Sequence, residues 1–505
     1  MRLHTLHELD KTEGTVQLRR ASSSPTGPAG ETSSTASLVL FPTPSATDPN
    51  DPLRWPRWKK HTAFLSVCAF TFLTNYGIGG LAPAFYPLSL EFGRTASQTS
   101  ALLLWPILVL GACNFLWVPL ANYLGKRPVF VVCCGLLCAS LVWGAVARSF
   151  ESLLWSNIVG AFAGSSTEAL GASIVNDLYF LHERGAMMGV YTAFISGGNS
   201  IGPLVCGFVV TGLSWRWHKW IALILTGINF VTVLFFVPET RYYRAESLGP
   251  LDVASSSREN MNASTDAEKD ANGVVSEGEV TEQRDTVPKK TWLQELRVWS
   301  GVTPDTNIVL MFVRPLPLFA YPCVIYAFLG YAVSLALTAS VNMLNSFVLQ
   351  APPYSWPAMI NGLINIPGLL GNLTGCIAGG WLVDKFWCIL FGYGVERTLH
   401  WTSLFFGYGM ISVALTAIPT TTMAYVSDCV LPVNSDALML VNGSKNIVAF
   451  GFLYGVVPWV DRVGYVDCFG TQAGIFVAVI GLGMLLLIPF GEKIRHVQAR
   501  WRIIL

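Results

Sequence analysis

Glu168 is the residue whose type and place most clearly invite chemistry. It stands in NIVGAFAGSSTEALGASIVNDLYFLHERG (Asn157 to Gly185), whose apolar part is long enough to cross a bilayer. A carboxylate there costs roughly 2.5–3.5 kcal/mol on insertion scales, which makes it a functional candidate by default. Gly160, Gly164 and Glu168 recur every four residues, so the carboxylate shares a small-residue face that turns toward protein rather than lipid. In that position it can bind a proton or a cationic ligand; the plain alternative is a structural hydrogen bond to a neighbouring helix. Asp177 lies half a turn round the same helix, near its end, and is expected to pair with Arg184. Asn75, Tyr76, Tyr331 and Ser334 are polar groups in other apolar runs, where a simple interhelical hydrogen bond accounts for each more readily than a ligand contact does.

These residues need membrane-spanning helices to hold them. The chain has 505 residues, of which 52% are hydrophobic and 12% charged, against about 25% charged in soluble domains. A net charge of +1 gives no field suited to nucleic acid. Most of the eleven cysteines lie within apolar runs and form no paired CxxC units, so they read as small core residues, not as metal ligands or a disulfide framework. Apolar stretches of about 20 residues fall near 62–86, 100–121, 128–147, 153–176, 187–211, 217–238, 316–340, 357–382, 401–418, 420–441, 444–460 and 471–490. Between the ninth and tenth of these Pro419 is the only clear break.

The expected fold class is therefore an all-α polytopic membrane protein of about 12 transmembrane helices in two six-helix bundles. Residues 1–60 form a polar N-terminus, and the first apolar segment comes too late for a cleaved signal peptide. Residues 61–238 form the first bundle, 239–313 a linker, 314–490 the second bundle and 491–505 a basic tail. From Leu251 to Val287 the linker carries nine acidic and three basic residues and cannot bury enough apolar surface to order itself. Seventeen basic residues, Lys445 among them, fall in loops on the side of the N-terminus, against five, Lys219 among them, on the other. That bias puts both termini in the cytoplasm.

Between Ile195 and Val210 the sequence packs Gly197, Gly198, Gly202, Pro203 and Gly207 into one apolar helix. Lipid supplies no hydrophobic force between helices, so small residues that permit close approach take over that task. Pro203 frees a backbone carbonyl, which is tolerable only where neighbouring protein satisfies it. The two halves also echo each other, PLANYLGKRP after the second span and GGWLVDKFW after the eighth, as in carriers that rock one half against the other.

The full spacing, Gly189, Gly198, Gly202-Pro203 and Cys206-Gly207, resembles the fifth-helix signature of antiporters in the major facilitator superfamily. That resemblance implies a contact between bundles and export rather than uptake. LGKRP, with Gly125, Lys126 and Arg127, resembles the family's gate loop, although Asn122 replaces the usual acidic residue; Gly380, Asp384 and Lys385 retain the pattern in the second half. NDLYFLHERG, VPETRY and DPNDPLRWP resemble fungal members of the drug:proton antiporter branch. Many of these carry an arginine in the fourth helix where this chain has Asn157, so Glu168 is the substitute for proton coupling. Tyr425, Val426 and Asp428 match a tenth-helix motif, which makes Asp428 a second candidate; the family would have more chain between Asp384 and Asp428, so the resemblance implies a truncated ninth helix, against which the equal spacing of the two halves favours twelve.

The expected function is proton-coupled export of small organic compounds, such as drugs, toxins or secondary metabolites, by alternating access. Its partners are the substrate, protons and the bilayer; no cofactor, metal or nucleic acid is expected, and the carrier acts as a monomer in the plasma membrane, with the vacuolar membrane as the alternative. Competing readings are an uptake symporter for an amine or nutrient and a non-transporting receptor or scaffold. An enzyme is not expected: all seven histidines lie outside or at the edges of the spans, and no metalloprotease, nucleophile-elbow or phosphate-loop motif occurs.

Overall fold

A computed structural model describes residues 19–20, 37–38, 45, 48–242, 289–297, 308–313, 315–352, 354–378, 402–429 and 434–499. Apart from a two-residue antiparallel pairing of Arg19–Arg20 with Ser37–Leu38, its regular structure is helical. The first half holds α1 (Arg57–Gly79), α2 (Phe85–Phe92), α3 (Ala96–Leu124), α4 (Lys126–Val146), α5 (Phe150–Leu178), α6 (Leu181–Gly212) and α7 (Trp215–Phe236). Two short helices follow, α8 (Trp292–Glu295) and α9 (Ile308–Val313). The second half holds α10 (Pro322–Gln350), α11 (Ala358–Leu363), α12 (Asn365–Ala378), α13 (Thr402–Cys429) and α14 (Asn434–Ala499).

Turn chemistry fixes the joints. Thr95 and Gln98 cap the start of α3 reciprocally, side chain to backbone in both directions. Ser149 accepts from the Ser152 amide at the start of α5. Gly464, at φ 84, breaks α14 into two limbs, because that left-handed region suits glycine. The helices present large apolar side chains outward: Leu485 is 74% and Leu482 65% exposed. Such a surface belongs in hydrocarbon, not water.

Nine helices among the described residues are long and apolar enough to cross a membrane. One of these stretches, Ser435–Gly483, contains the Gly464 break and so makes two passages, and α11 with α12 makes another from two short pieces. Gly368 faces Tyr408 and Gly375 faces Thr416, so α12 and α13 run parallel. Residues 379–401, which join α12 to α13, lie outside the described ones.

That geometry corrects the span boundaries. Pro419 does not divide two spans but sits inside the continuous α13, since a lipid-embedded helix tolerates proline where neighbours satisfy the freed carbonyl. Lys445 is not a loop residue: it lies within α14 and is 1% exposed. Lys219, also assigned to a loop, is buried on the second turn of α7.

Candidate functional site

Glu168 owes its place to the small residues around it. A Cβ on Gly164 would lie 2.0 Å from Cγ2 of Thr74 in α1, and one on Gly160 would lie 3.0 Å from Oγ of Ser140 in α4. Gly171 meets the ring of Tyr191 in α6, where a Cβ would come within 2.4 Å. With α5 gripped on three sides, Glu168 points at the second half and is 3% exposed.

Its Oε2 accepts from Lys445 Nζ at 3.1 Å and from Asn446 Nδ2 at 2.8 Å, both on α14. Asn442 Nδ2 donates to the Glu168 carbonyl at 3.0 Å, and Tyr191 Oη donates to the carbonyls of Thr167 and Glu168. Lys445 Nζ also reaches Asn446 Oδ1 at 3.3 Å and stands 4.4 Å from the centre of the Tyr331 ring in α10. Among the described residues no hydrogen bond reaches Glu168 Oε1. The arrangement is a buried ion pair that ties the first half to the second, of the kind that is expensive to break from one side.

The pair borders a cavity between the halves. Asn75, Asn199, Thr338 and Asn342 give it polar groups, and Ile78, Leu103, Ile107, Leu110, Leu335 and Leu415 give it apolar walls. Few polar groups on mostly apolar walls make a ligand site. Of the residues singled out in the sequence, Glu168, Asn75 and Tyr331 line it. Tyr76 does not; it stacks on His218, with centroids 4.6 Å apart. Ser334 is fully buried, and its hydroxyl donates back to the Gly330 carbonyl at 2.7 Å. Asp428 falls in the last turn of α13 and its side chain lies outside what is described. Lys445 and Asn446 were missed, because a lysine beside an asparagine reads as a break between spans.

The glycine stretch splits its work. A Cβ on Gly198 would lie 2.4 Å from the Phe72 carbonyl, and one on Gly202 would lie 2.9 Å from Cα of Gly80, so both hold α6 against α1 within the first half. Gly207 makes the contact between halves, where a Cβ would lie 2.6 Å from the Ala358 carbonyl and 2.9 Å from Cα of Gly362. Gly189 sits looser, 3.7 Å from Thr420. Pro203 continues in α6, and its carbonyl passes close to Gly362. Asn372 donates to Ser200 Oγ at 2.8 Å, Thr192 and Thr420 hydroxyls meet at 2.6 Å, and Gln350 donates to the Pro83 carbonyl at 2.8 Å across the same seam.

The loop after α3 forms a second charged cluster. Gly125 turns at φ 106, and Glu239 accepts from the amides of Lys126 and Arg127 at 3.0 and 3.1 Å. Arg127 donates to the carbonyls of Leu234 and Val237, and Arg241 to those of Asn122 and Tyr123. Asp177 pairs with Lys126 at 2.5 Å, not with Arg184, which instead donates to the carbonyls of Tyr179 and Asn176. The reason is reach: α5 brings Asp177 alongside the start of α4, while Arg184 turns back to the chain before it. Gly380, Asp384 and Lys385 lie outside the described residues.

Asn157 has a cation beside it after all. Lys219 Nζ donates to Asn157 Oδ1 at 2.7 Å and to the Gly77 carbonyl at 3.0 Å. No carboxylate lies within salt-bridge distance of it among the described residues.

A bundle of membrane-crossing helices in two halves, with a charged cavity between them, defines a multi-pass membrane carrier. Residues 65–486 match the Major Facilitator Superfamily, and the chain belongs to that superfamily, which is generally non-enzymatic and made up of transporters. An uncharacterised MFS-type transporter of Schizosaccharomyces pombe is 24% identical over 92% of this chain and 89% of the relative. The HOL1 protein of Saccharomyces cerevisiae is 23% identical over 92% and 91%. An ascochitine biosynthesis cluster MFS transporter of Didymella fabae is 28% identical over 38% of each chain. Among solved structures, a proton:xylose symporter superposes with a TM-score of 0.59 at 12% identity, covering 89% of this chain and 100% of that one. The human organic anion transporter MFSD10 gives 0.55 at 17%, covering 85% and 100%. At these identities the likeness is one of fold.

Proposed function

We propose that this protein exports small organic compounds in exchange for protons by alternating access. The single observation that carries the reading is the Glu168–Lys445 pair, a titratable carboxylate held at the contact between halves and open to the cavity. A proton arriving at Glu168 removes its negative charge and with it the attraction for Lys445, which loosens one half from the other. A substrate that needs the ionised carboxylate is released in the same event. Gly207 against Gly362 gives the halves a close seam to pivot on. One relative's name places it in a biosynthetic cluster, which suits an exporter of organic products.

The two halves flank a cytoplasmic connection, both termini are cytoplasmic, and the working unit is a monomer in the plasma membrane. The second reading, uptake of a small amine by proton symport, draws on the carboxylate and aromatic face at the same cavity. Reconstitution in proteoliposomes decides between them. Export predicts accumulation of a substrate on the acidic side of an imposed pH gradient; accumulation on the alkaline side with protons, or no gradient-driven flux, sinks it.

A further inference from the structure

An ammonium group already occupies the cavity wall, and it belongs to the protein. Lys445 Nζ is met by Glu168 Oε2 at 3.1 Å, Asn446 Oδ1 at 3.3 Å and the face of Tyr331 at 4.4 Å. A carboxylate joined to an aromatic face is the surrounding that selects alkylammonium ions. Lys445 already donates to Glu168 Oε2 and Asn446 Oδ1, whereas Glu168 Oε1 accepts no hydrogen bond among the described residues and Glu168 lines the cavity. The unspent capacity is that of a carboxylate acceptor, on a residue that lines the space where a ligand would sit. Leu335 and Leu415 nearby offer apolar surface for a hydrocarbon body.

We propose that this is a binding site for organic ammonium compounds, with Lys445 as a tethered occupant that stands in the ligand's place when the carrier is empty. The proposal rests on the export reading and names its substrate class. Charge balance gives it direction. Lys445 and ionised Glu168 sum to zero; a bound ammonium adds one positive charge, and so does a proton on Glu168. Both together would leave two uncompensated charges in a medium of low dielectric, so ligand and proton exclude each other. The tethered lysine also spares the empty carrier a bare buried carboxylate during its return. The titratable and charged groups that face Glu168 are Lys445 from α14, Tyr331 from α10 and Tyr191 from α6.

The test uses the full chain purified in detergent and three probes of one shape: benzylammonium, benzyl alcohol and benzoate. Wild type should bind benzylammonium best, and less well as pH falls. Lys445→Gln vacates the site and should tighten benzylammonium by about tenfold, while Glu168→Gln should weaken it by about as much. Equal binding of the three probes, or an unchanged benzylammonium affinity in Lys445→Gln, overturns the proposal. So does a preference for benzoate that Lys445→Gln abolishes, which would mark an anion site. Should Lys445→Gln elute as aggregate, Tyr331→Leu replaces it; this removes the ring without altering charge and should weaken benzylammonium but not benzyl alcohol. Binding needs no gradient, so its failure leaves proton-driven export standing, and lost flux with binding intact sinks export instead.

Discussion

Lys445 Nζ lies 3.1 Å from Glu168 Oε2, and both side chains are almost wholly buried, at 1% and 4% exposure. The two residues are 277 positions apart in the chain, so one contact joins a helix of each half. Removing either partner strands the other charge at a cost of about 3–5 kcal/mol, while removing both leaves nothing stranded. Lys445→Met and Glu168→Gln should each lower the melting temperature of the purified protein more than the double variant does. Simple addition of the two losses in the double variant would show that the pair is not coupled.

The glycine contacts make graded predictions. Gly198→Leu and Gly207→Leu put side chains where backbone atoms already stand, 2.4 Å and 2.6 Å from an added Cβ. Flux should fall at least about tenfold in both, because backbone cannot yield as a flexible side chain can. Gly189→Ala, with 3.7 Å of room, and Gly451→Ala, with nothing within 4 Å, should keep wild-type flux. Unimpaired flux in Gly207→Leu would mean that this seam does not govern the motion.

Gly125 combines two constraints, φ 106 and a Glu239 oxygen 2.4 Å from an added Cβ. Gly125→Ala should cost about 1–3 kcal/mol, as residues forced into sparsely populated backbone regions do. The loss is read from thermal unfolding followed by tryptophan fluorescence. Glu239→Ala relieves the collision but leaves the backbone strain and takes the acceptor from the Lys126 and Arg127 amides, so the double variant should stay well below wild type.

Lys219 is buried with two neutral acceptors, Asn157 Oδ1 and the Gly77 carbonyl. Asn157→Asp would supply the missing counter-charge at 2.7 Å and should raise the melting temperature, since a buried ammonium gains from a charged partner. Lys219→Met should lower it by leaving the Asn157 amide oxygen unpaired, a loss of about 1–3 kcal/mol. A fall in melting temperature for Asn157→Asp would show that the extra charge is not welcome there.

Glu168 could be found by reading alone. A carboxylate among glycines in an apolar run has few structural excuses, and the four-residue spacing names the face it shares. Lys445 could not. LMLVNGSKNIVAFGF reads as two apolar runs with a polar gap, and hydropathy has no term for a lysine neutralised by a partner on another helix. The same blindness put Lys219 in a loop. Asp177 failed for another reason: Arg184 is near in sequence, while Lys126, 51 positions away, is near in space.

Residue order determined the helices of the first half, their membrane length, the polar stretch between the halves and the glycine stripe, because these follow from local transfer energy and helical period. Partners required the folded chain. Which cation met Glu168, that Gly207 rather than Gly202 touched the other half, and that α12 and α13 ran side by side all depend on contacts between distant segments. Packing sets those contacts, and no window along the chain contains both sides of them.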